Sequence, residues 1–416
     1  MSIFDNEEEL QEWIEEEIGE NFDFADLIEN KSYITDYQFT SNTPEEHLFH
    51  KSFSETLNSL YCNSLISKNE NISLESNEIL KPDLLFYSME TEGVVIVELK
   101  NSANATRQLG TEIYAYSGEV KSYVPFLSYG DIFYVIISSD WPTLLRHFIF
   151  HEIYWEEKNI LCLEPIENNS KRALKIKNIP ELLEDVSSLK IPQESVTGYQ
   201  ICLYDHGLYK SEHDRTRLDG HLNQMKASLH VMATEGNKQN AHGFAFLWKD
   251  NREFSLAPYS ITVLNLSPFS SIERFLHAID DLSDLTEMQE RLFGIVQSYD
   301  PSGHGRSLSR IRETAENFLK HFCNPISEAY TSWVPLKDFM LENSELIAFQ
   351  GWGLFEYKFS EELVNEFSKG NIQISHLSPE LGLKVVESLI DMDYCFYDIH
   401  LFNLKVTTTM KSMINF

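Results

Sequence analysis

The residues of this chain best suited to chemistry gather in one short stretch. Pro82-Asp83 opens it and Gly93-Val94-Val95-Ile96-Val97-Glu98-Leu99-Lys100 closes it. Side chains alternate along a strand, so Ile96, Glu98 and Lys100 share one face, and Val95, Val97 and Leu99 share the other. Glu98 and Lys100 thus project side by side from the end of an apolar strand that reads as central. Charged groups are costly there unless they pair or bind an ion. Asp83 falls on the preceding strand, beyond a turn near Met89 to Gly93, and a hairpin can bring its carboxylate beside that of Glu98. Two carboxylates and a lysine at a strand end suit Mg2+, which takes oxygen ligands and keeps several waters. Such an ion eases deprotonation of a water and neutralises charge building on a phosphate. Lys100 can orient that water or stabilise the phosphate oxygens. The chemistry expected is phosphodiester hydrolysis, with Mg2+ as cofactor and Mn2+ able to substitute.

The surrounding elements must hold these groups. Thr43-Pro44-Glu45-Glu46 is a helix start with Pro in the first turn, and Phe49, Phe53, Leu57 and Leu60 follow at helical spacing. Strands are expected over 79–87, 93–100, 132–138 and 159–165. Helices are expected over about 105–121 and from Pro142 to about 155. This alternation predicts an α/β sandwich around a mixed central sheet. Residues 167–198, with Asn168, Asn169, Ser170, Pro180, Pro192 and Gly198, read as a linker. Beyond it come a helix over 218–232, paired strands over 242–249 and 254–266, a mostly helical stretch to about 392, and a last strand over 394–406. The expected organisation is an acidic helical arm (1–40), a catalytic domain (41–166), a linker (167–198) and a helix-rich α+β domain (199–416) for recognition, regulation or oligomerisation.

The stretch from Pro82 to Lys100 resembles the PD-(D/E)xK nuclease superfamily, the restriction endonuclease-like fold. Pro82-Asp83 matches the first half of its motif and Glu98-Leu99-Lys100 the second. The resemblance covers roughly residues 41–166 and implies an αβββαβ core. It also implies that Asp83, Glu98 and the Leu99 carbonyl ligate the metal and that Lys100 is the catalytic lysine. Many members carry a Glu on the first core helix. Glu46 is the choice here, on the face of Phe49, Phe53 and Leu57, with Glu45 as its neighbouring alternative. Many also place a Gln on the helix after the lysine strand, which Gln108 matches. The Tyr that often follows by four residues is replaced by Glu112, with Tyr114 and Tyr116 nearby. The resemblance implies a DNA substrate. Standalone members with an extra domain often serve bacterial defence against phage or foreign DNA. The rival expectations are an inactive scaffold of this fold that binds protein, and an RNase of this fold.

Charge constrains the partners. Lys and Arg total 33 against 65 Asp and Glu, a net charge of −32. That disfavours a protein that coats nucleic acid non-specifically, though not an enzyme meeting it at one local site. About a dozen of the acids, and no Lys or Arg, lie in residues 1–30, where Leu10, Trp13, Ile14 and Ile18 give helical spacing. The arm could bind a protein partner or shield the cleft. Basic residues near the proposed cleft are Lys81, Lys100, Arg107, Lys121 and the run Lys171, Arg172, Lys175, Lys177. Cutting both strands of a duplex usually needs two active sites, so a homo-oligomer is expected. No apolar run reaches the roughly 20 residues of a membrane span. The five cysteines are odd in number and widely spaced, so neither a disulfide framework nor a cysteine zinc site is expected. A cytoplasmic protein with no membrane partner is expected.

Three further groupings read as structural. His147 and His151 lie four apart on a helix without the HExxH order. Gly303-His304-Gly305-Arg306-Ser307 lacks a P-loop lysine. Asp214, Arg215, Arg217, Asp219 and His221 suit capping and surface pairing.

Overall fold

The computed structural model describes residues 3–18, 23–37, 44–74, 79–100, 106–168, 171–184, 191–208, 216–267, 287–299, 306–371, 375 and 377–391. The chain divides into two units, Met1–Ser188 and Leu189–Phe416.

The first unit is mixed α/β. Its helices are α1 (Glu7–Ile18), the single turn α2 (Ser32–Thr35), α3 (Pro44–Asn58), α4 (Thr106–Tyr123) and α5 (Thr143–Phe150). Its sheet runs in chain order through β1 (Asn63–Lys68), β2 (Leu84–Ser88), β3 (Gly93–Lys100), β4 (Ile132–Ser138), β5 (Asn159–Asn168) and β6 (Lys171–Ile176). The segment from α3 to β4 thus has the order αβββαβ. β3 lies antiparallel to β2 and parallel to β4, and β4 is parallel to β5, with α4 and α5 in the crossovers. All eight residues of β3 are buried. That is why Val94–Val97 reads as a continuous apolar run: both faces of this central strand are covered. Gly93 opens it where a Cβ would stand 2.6 Å from the Phe133 ring and 2.8 Å from the Asp131 carbonyl.

Two expectations shift. β2 begins at Leu84 rather than near 79, because Pro82 has no N–H to give a ladder. β1 was not foreseen; its sequence, Asn-Ser-Leu-Ile-Ser-Lys, is that of a polar edge strand.

The acidic arm is part of this unit. α1 buries Leu10, Trp13 and Ile14, and Phe4 packs on Trp13. Its acids take up basic partners: Glu9 pairs with Arg172 at 2.6 Å and Glu15 with Lys68 at 3.0 Å. Removing residues 1–30 would therefore open the core as well as uncover charge.

Residues 167–198, read as a linker, are structured on both sides of the break between units. β6 pairs antiparallel with β5, and its Leu174 bridges Ile28. Exposed Lys171 and Lys175 flank its buried Ala173, Leu174 and Ile176 and mask the strand signal. After the single turn α6 (Ile179–Leu182) comes β7 (Ile191–Pro192), and β8 (Val196–Tyr204) starts inside the same segment.

The second unit is built on an antiparallel sheet. Its strands are β8, β9 (Gly243–Asp250), β10 (Tyr259–Leu266), β11 (Asn324–Ser332) and β12 (Ser344–Trp352), in the order β11-β8-β10-β9-β12. Two-residue β13 (Ile390–Asp391) pairs with β7. Helix α7 (Leu222–Lys238) and helix Ser307–Leu319 share one core with Ile201, Leu203, Leu247, Ile261 and Val263. The expectation of a mostly helical stretch after 266 is corrected by β11 and β12. Both are edge strands whose alternation is broken by a bulge, after Ser327 and after Leu346. The late aromatics are core: Phe349, Trp352 and Phe355 are fully buried. The strand expected over 394–406 lies outside the described residues. Among the described residues, no helix is long and apolar enough to cross a membrane, and the four cysteines are free thiols.

Candidate active site

The β2–β3 hairpin does what the alternation predicts. Leu84 pairs with Val97, so the residue before β2, Asp83, falls opposite Glu98. The Leu99 amide donates to Asp83 Oδ2 at 2.7 Å and fixes that carboxylate at the strand end. Lys100, on the face of Glu98, donates from Nζ to Glu98 Oε2 at 3.1 Å. The same ammonium donates to Glu112 Oε2 on α4 at 3.0 Å. α4 therefore covers the face of β3 that carries Glu98 and Lys100.

The electrostatics are those of a site with too much negative charge. Glu98 is 2% exposed, and its Oε1 is buried with no hydrogen-bond partner among the described residues. Burial, and then the charge of Asp83, push the Glu98 carboxyl up to about 8, against the pull of Lys100. Burial likewise lifts Asp83 to about 6, although the Leu99 amide and Lys100 act the other way. Burial opposes the charge on Lys100, yet Glu98 and Glu112 outweigh it and hold the ammonium well above the ordinary lysine value. Three carboxylates against one ammonium leave two negative charges when all are ionised.

This has a consequence for stability. A carboxyl raised in the folded state favours folding below its unfolded pKa of 4.5, and that contribution is lost as pH rises toward about 8. In metal-free protein, the unfolding free energy of wild type relative to Glu98→Gln is expected to fall by roughly 3 kcal/mol between pH 5 and pH 9. Urea titrations of both proteins across that range would show it; parallel pH profiles would contradict it.

The other expected residues divide. Glu46 acts electrostatically on Tyr33, and Glu45 acts on Tyr154. The principal charges felt by Asp83 come from Lys100, Glu7 and Glu112, those felt by Glu98 come from Asp83, Lys100 and Glu112, and Glu46 is not among them. The reason lies in the packing: α3 lies chiefly against β5, two strands away from β3. Gln108 lies on α4 one turn before Glu112, and its side chain is outside the described residues. Sequence reasoning gave no role to Glu112, noted only where a Tyr was expected, nor to Gln11, whose Nε2 donates to the Asp83 carbonyl at 3.4 Å. Position supplied the signal for Glu112, one turn beyond Gln108 on the helix facing the lysine.

The basic residues are largely engaged. Arg172 and Lys68 meet acids of α1, Lys177 meets Glu164 and Glu181, and the Lys121 ammonium sits 3.7 Å over the Tyr129 ring. Described members of the secondary groupings make local structural contacts. His151 faces Glu156 at 3.9 Å on a π-helical turn, His151–Trp155. Arg217 pairs with Asp205 and donates to the Phe322 carbonyl, and Tyr259 donates to Asp219. Residues 303–305, like Asp214 and Arg215, lie outside the described residues.

Comparison with family models, with curated proteins and with solved structures found no match to this chain.

Proposed function

We propose that this protein is a Mg2+-dependent nuclease of the PD-(D/E)xK type, acting on DNA. One observation carries the reading: Asp83, Glu98 and Lys100 converge at the end of a buried central strand, and Glu98 Oε1 stays buried without a partner. The αβββαβ order of the elements around them supports it.

The donor set fits Mg2+. Among the described residues no group of three or more His, Cys, Asp and Glu side chains is set to hold a metal ion. Mg2+ needs only one or two carboxylates and retains waters. Asp83, Glu98 and the Leu99 carbonyl would hold it, and Glu46 is left out of the set. When bound, Mg2+ supplies Lewis acidity toward the phosphate and eases deprotonation of the attacking water. Lys100 carries a permanent positive charge in a nearly dry setting, where its hydrogen bonds to a phosphate oxygen gain strength as charge builds there. Glu98 and Asp83 accept hydrogen bonds and so orient the water against the phosphorus.

A scaffold that keeps the fold without catalysis is the second reading. It is favoured by the double engagement of Lys100 and by the pairing of Arg172, Lys68 and Lys177. A thermal-shift titration with Mn2+ separates the two. The nuclease reading predicts a Tm that climbs with Mn2+ in wild type and does not respond in Glu98→Gln. A flat response in wild type favours the scaffold.

A further inference from the structure

α4 presents one polar stripe, Glu112, Tyr116, Glu119 and Tyr123, spaced four, three and four residues apart along a single helix face. Glu112 and Tyr116 reach the two chain segments that carry the site, and Glu119 and Tyr123 reach the segment after β1. Glu112 Oε2 takes the Lys100 ammonium at 3.0 Å. The Tyr116 hydroxyl donates to the Lys81 carbonyl at 2.9 Å, two residues before Asp83. Further along, Glu119 accepts the Leu74 amide, and the Tyr123 hydroxyl donates to the Ile72 carbonyl at 2.8 Å. The helix is itself tied to the sheet and to the π-helical turn. Ser117 Oγ meets the Tyr134 hydroxyl at 2.8 Å, and Tyr114 donates to Glu152 at 2.8 Å.

We propose that α4 is the jig of the site: Glu112 and Tyr116 are positioning residues that set Lys100 and Asp83, respectively, relative to Glu98. The proposal rests on the nuclease reading for its bearing on catalysis, but its geometry stands apart from that reading. The two halves of the site come from separate segments, joined by the β2–β3 ladder and by the hydrogen bond from the Leu99 amide to Asp83 Oδ2. Asp83 lies just before that ladder begins, where Pro82 gives no N–H to extend it. Tyr116, 6% exposed, holds the approach to Asp83 from the other side. Lys100 has a long flexible stem, and Glu98 alone leaves its ammonium free to swing about one contact. The second carboxylate removes that freedom. Glu112 must therefore work by reach as well as by charge.

Three variants test this: Glu112→Gln, Glu112→Asp and Tyr116→Phe. The first readout needs no activity. Lys100 is acylated in the folded protein with a small amine-reactive ester, and its labelling relative to Lys81 is measured by mass spectrometry. The second is cleavage kinetics with separate kcat and KM. Labelling of Lys100 should rise several-fold in both Glu112 variants, since Asp keeps the charge but loses the reach, and stay at the wild-type level in Tyr116→Phe. kcat should fall about 10- to 100-fold in all three with KM unchanged, as expected of misplaced groups. Released Lys100 in the Glu112 variants of a protein that cuts no nucleic acid would uphold the jig and overturn only the nuclease reading. Glu112→Asp matching wild type in both readouts would overturn the proposal, as would a wild-type kcat in Tyr116→Phe. An equal Tm across the set keeps either result from being a folding defect.

Discussion

Lys158→Met should lower the unfolding free energy of the first unit by about 3–5 kcal/mol, the cost of stripping the partner from a buried charge. Lys158 is 4% exposed and Glu152 is 1% exposed. Glu152 Oε2 takes the Lys158 ammonium, and its Oε1 accepts the Tyr114 hydroxyl at 2.8 Å. The ammonium also stands 3.8 Å over the Tyr114 ring. The pair is thus satisfied on both sides while intact. Without Lys158, the buried Glu152 carboxylate loses its charged partner. The double change Glu152→Leu with Lys158→Met should recover most of the loss, because well-packed apolar groups replace a buried pair at little cost. Urea denaturation of both variants distinguishes this from a surface pair, whose loss would cost under about 1 kcal/mol.

The second large effect is on cleavage. Lys100→Ala should reduce Mg2+-dependent cleavage about 10^2- to 10^3-fold, the usual penalty for losing one aimed donor in a dry site. Glu98→Ala should bring it down to the level seen in EDTA. Lys100 differs from the surface lysines in having two carboxylates and almost no water around it. Its removal leaves Glu98 and Asp83 facing each other without a cation. The loss should therefore come with weaker folding at alkaline pH in the absence of metal, where those carboxyls must ionise. Lys81→Ala, at an exposed position, serves as the comparison.

The centre of the site was legible in the sequence because it follows from strand geometry. Alternation puts Glu98 and Lys100 on one face, and the hairpin puts Asp83 opposite Glu98. The apolar run Val94–Val97 of β3 marks a strand covered on both faces. Helix packing was less legible. The face of α3 was readable from Phe49 and Phe53, but not which strand that face would meet. α3 meets β5, and Glu46 stands by Tyr33. Glu112 was visible only as a mismatch to an expected Tyr, since its role depends on the reach of the Lys100 side chain across to α4. The edge strands β1, β6, β11 and β12 were masked by polar residues and bulges, the features that protect sheet edges from pairing. The acidity changed meaning in the same way. Glu9 and Glu15 neutralise Arg172 and Lys68 within the first unit. On the nuclease reading, contact with nucleic acid falls to a few local groups, and binding should be weak and sharply reduced by salt.

The central claim is that Asp83, Glu98 and Lys100 cut phosphodiester bonds with a divalent metal. The most direct measurement is a side-by-side digest of duplex DNA, single-stranded DNA and tRNA by wild type and by Glu98→Ala. Each is run with Mg2+, with Mn2+ and with EDTA. Cleavage of DNA by wild type, lost both in EDTA and in Glu98→Ala, is the predicted result; cleavage of tRNA alone would keep the site and change the substrate to RNA. Equal behaviour of wild type and Glu98→Ala on every substrate would contradict the account.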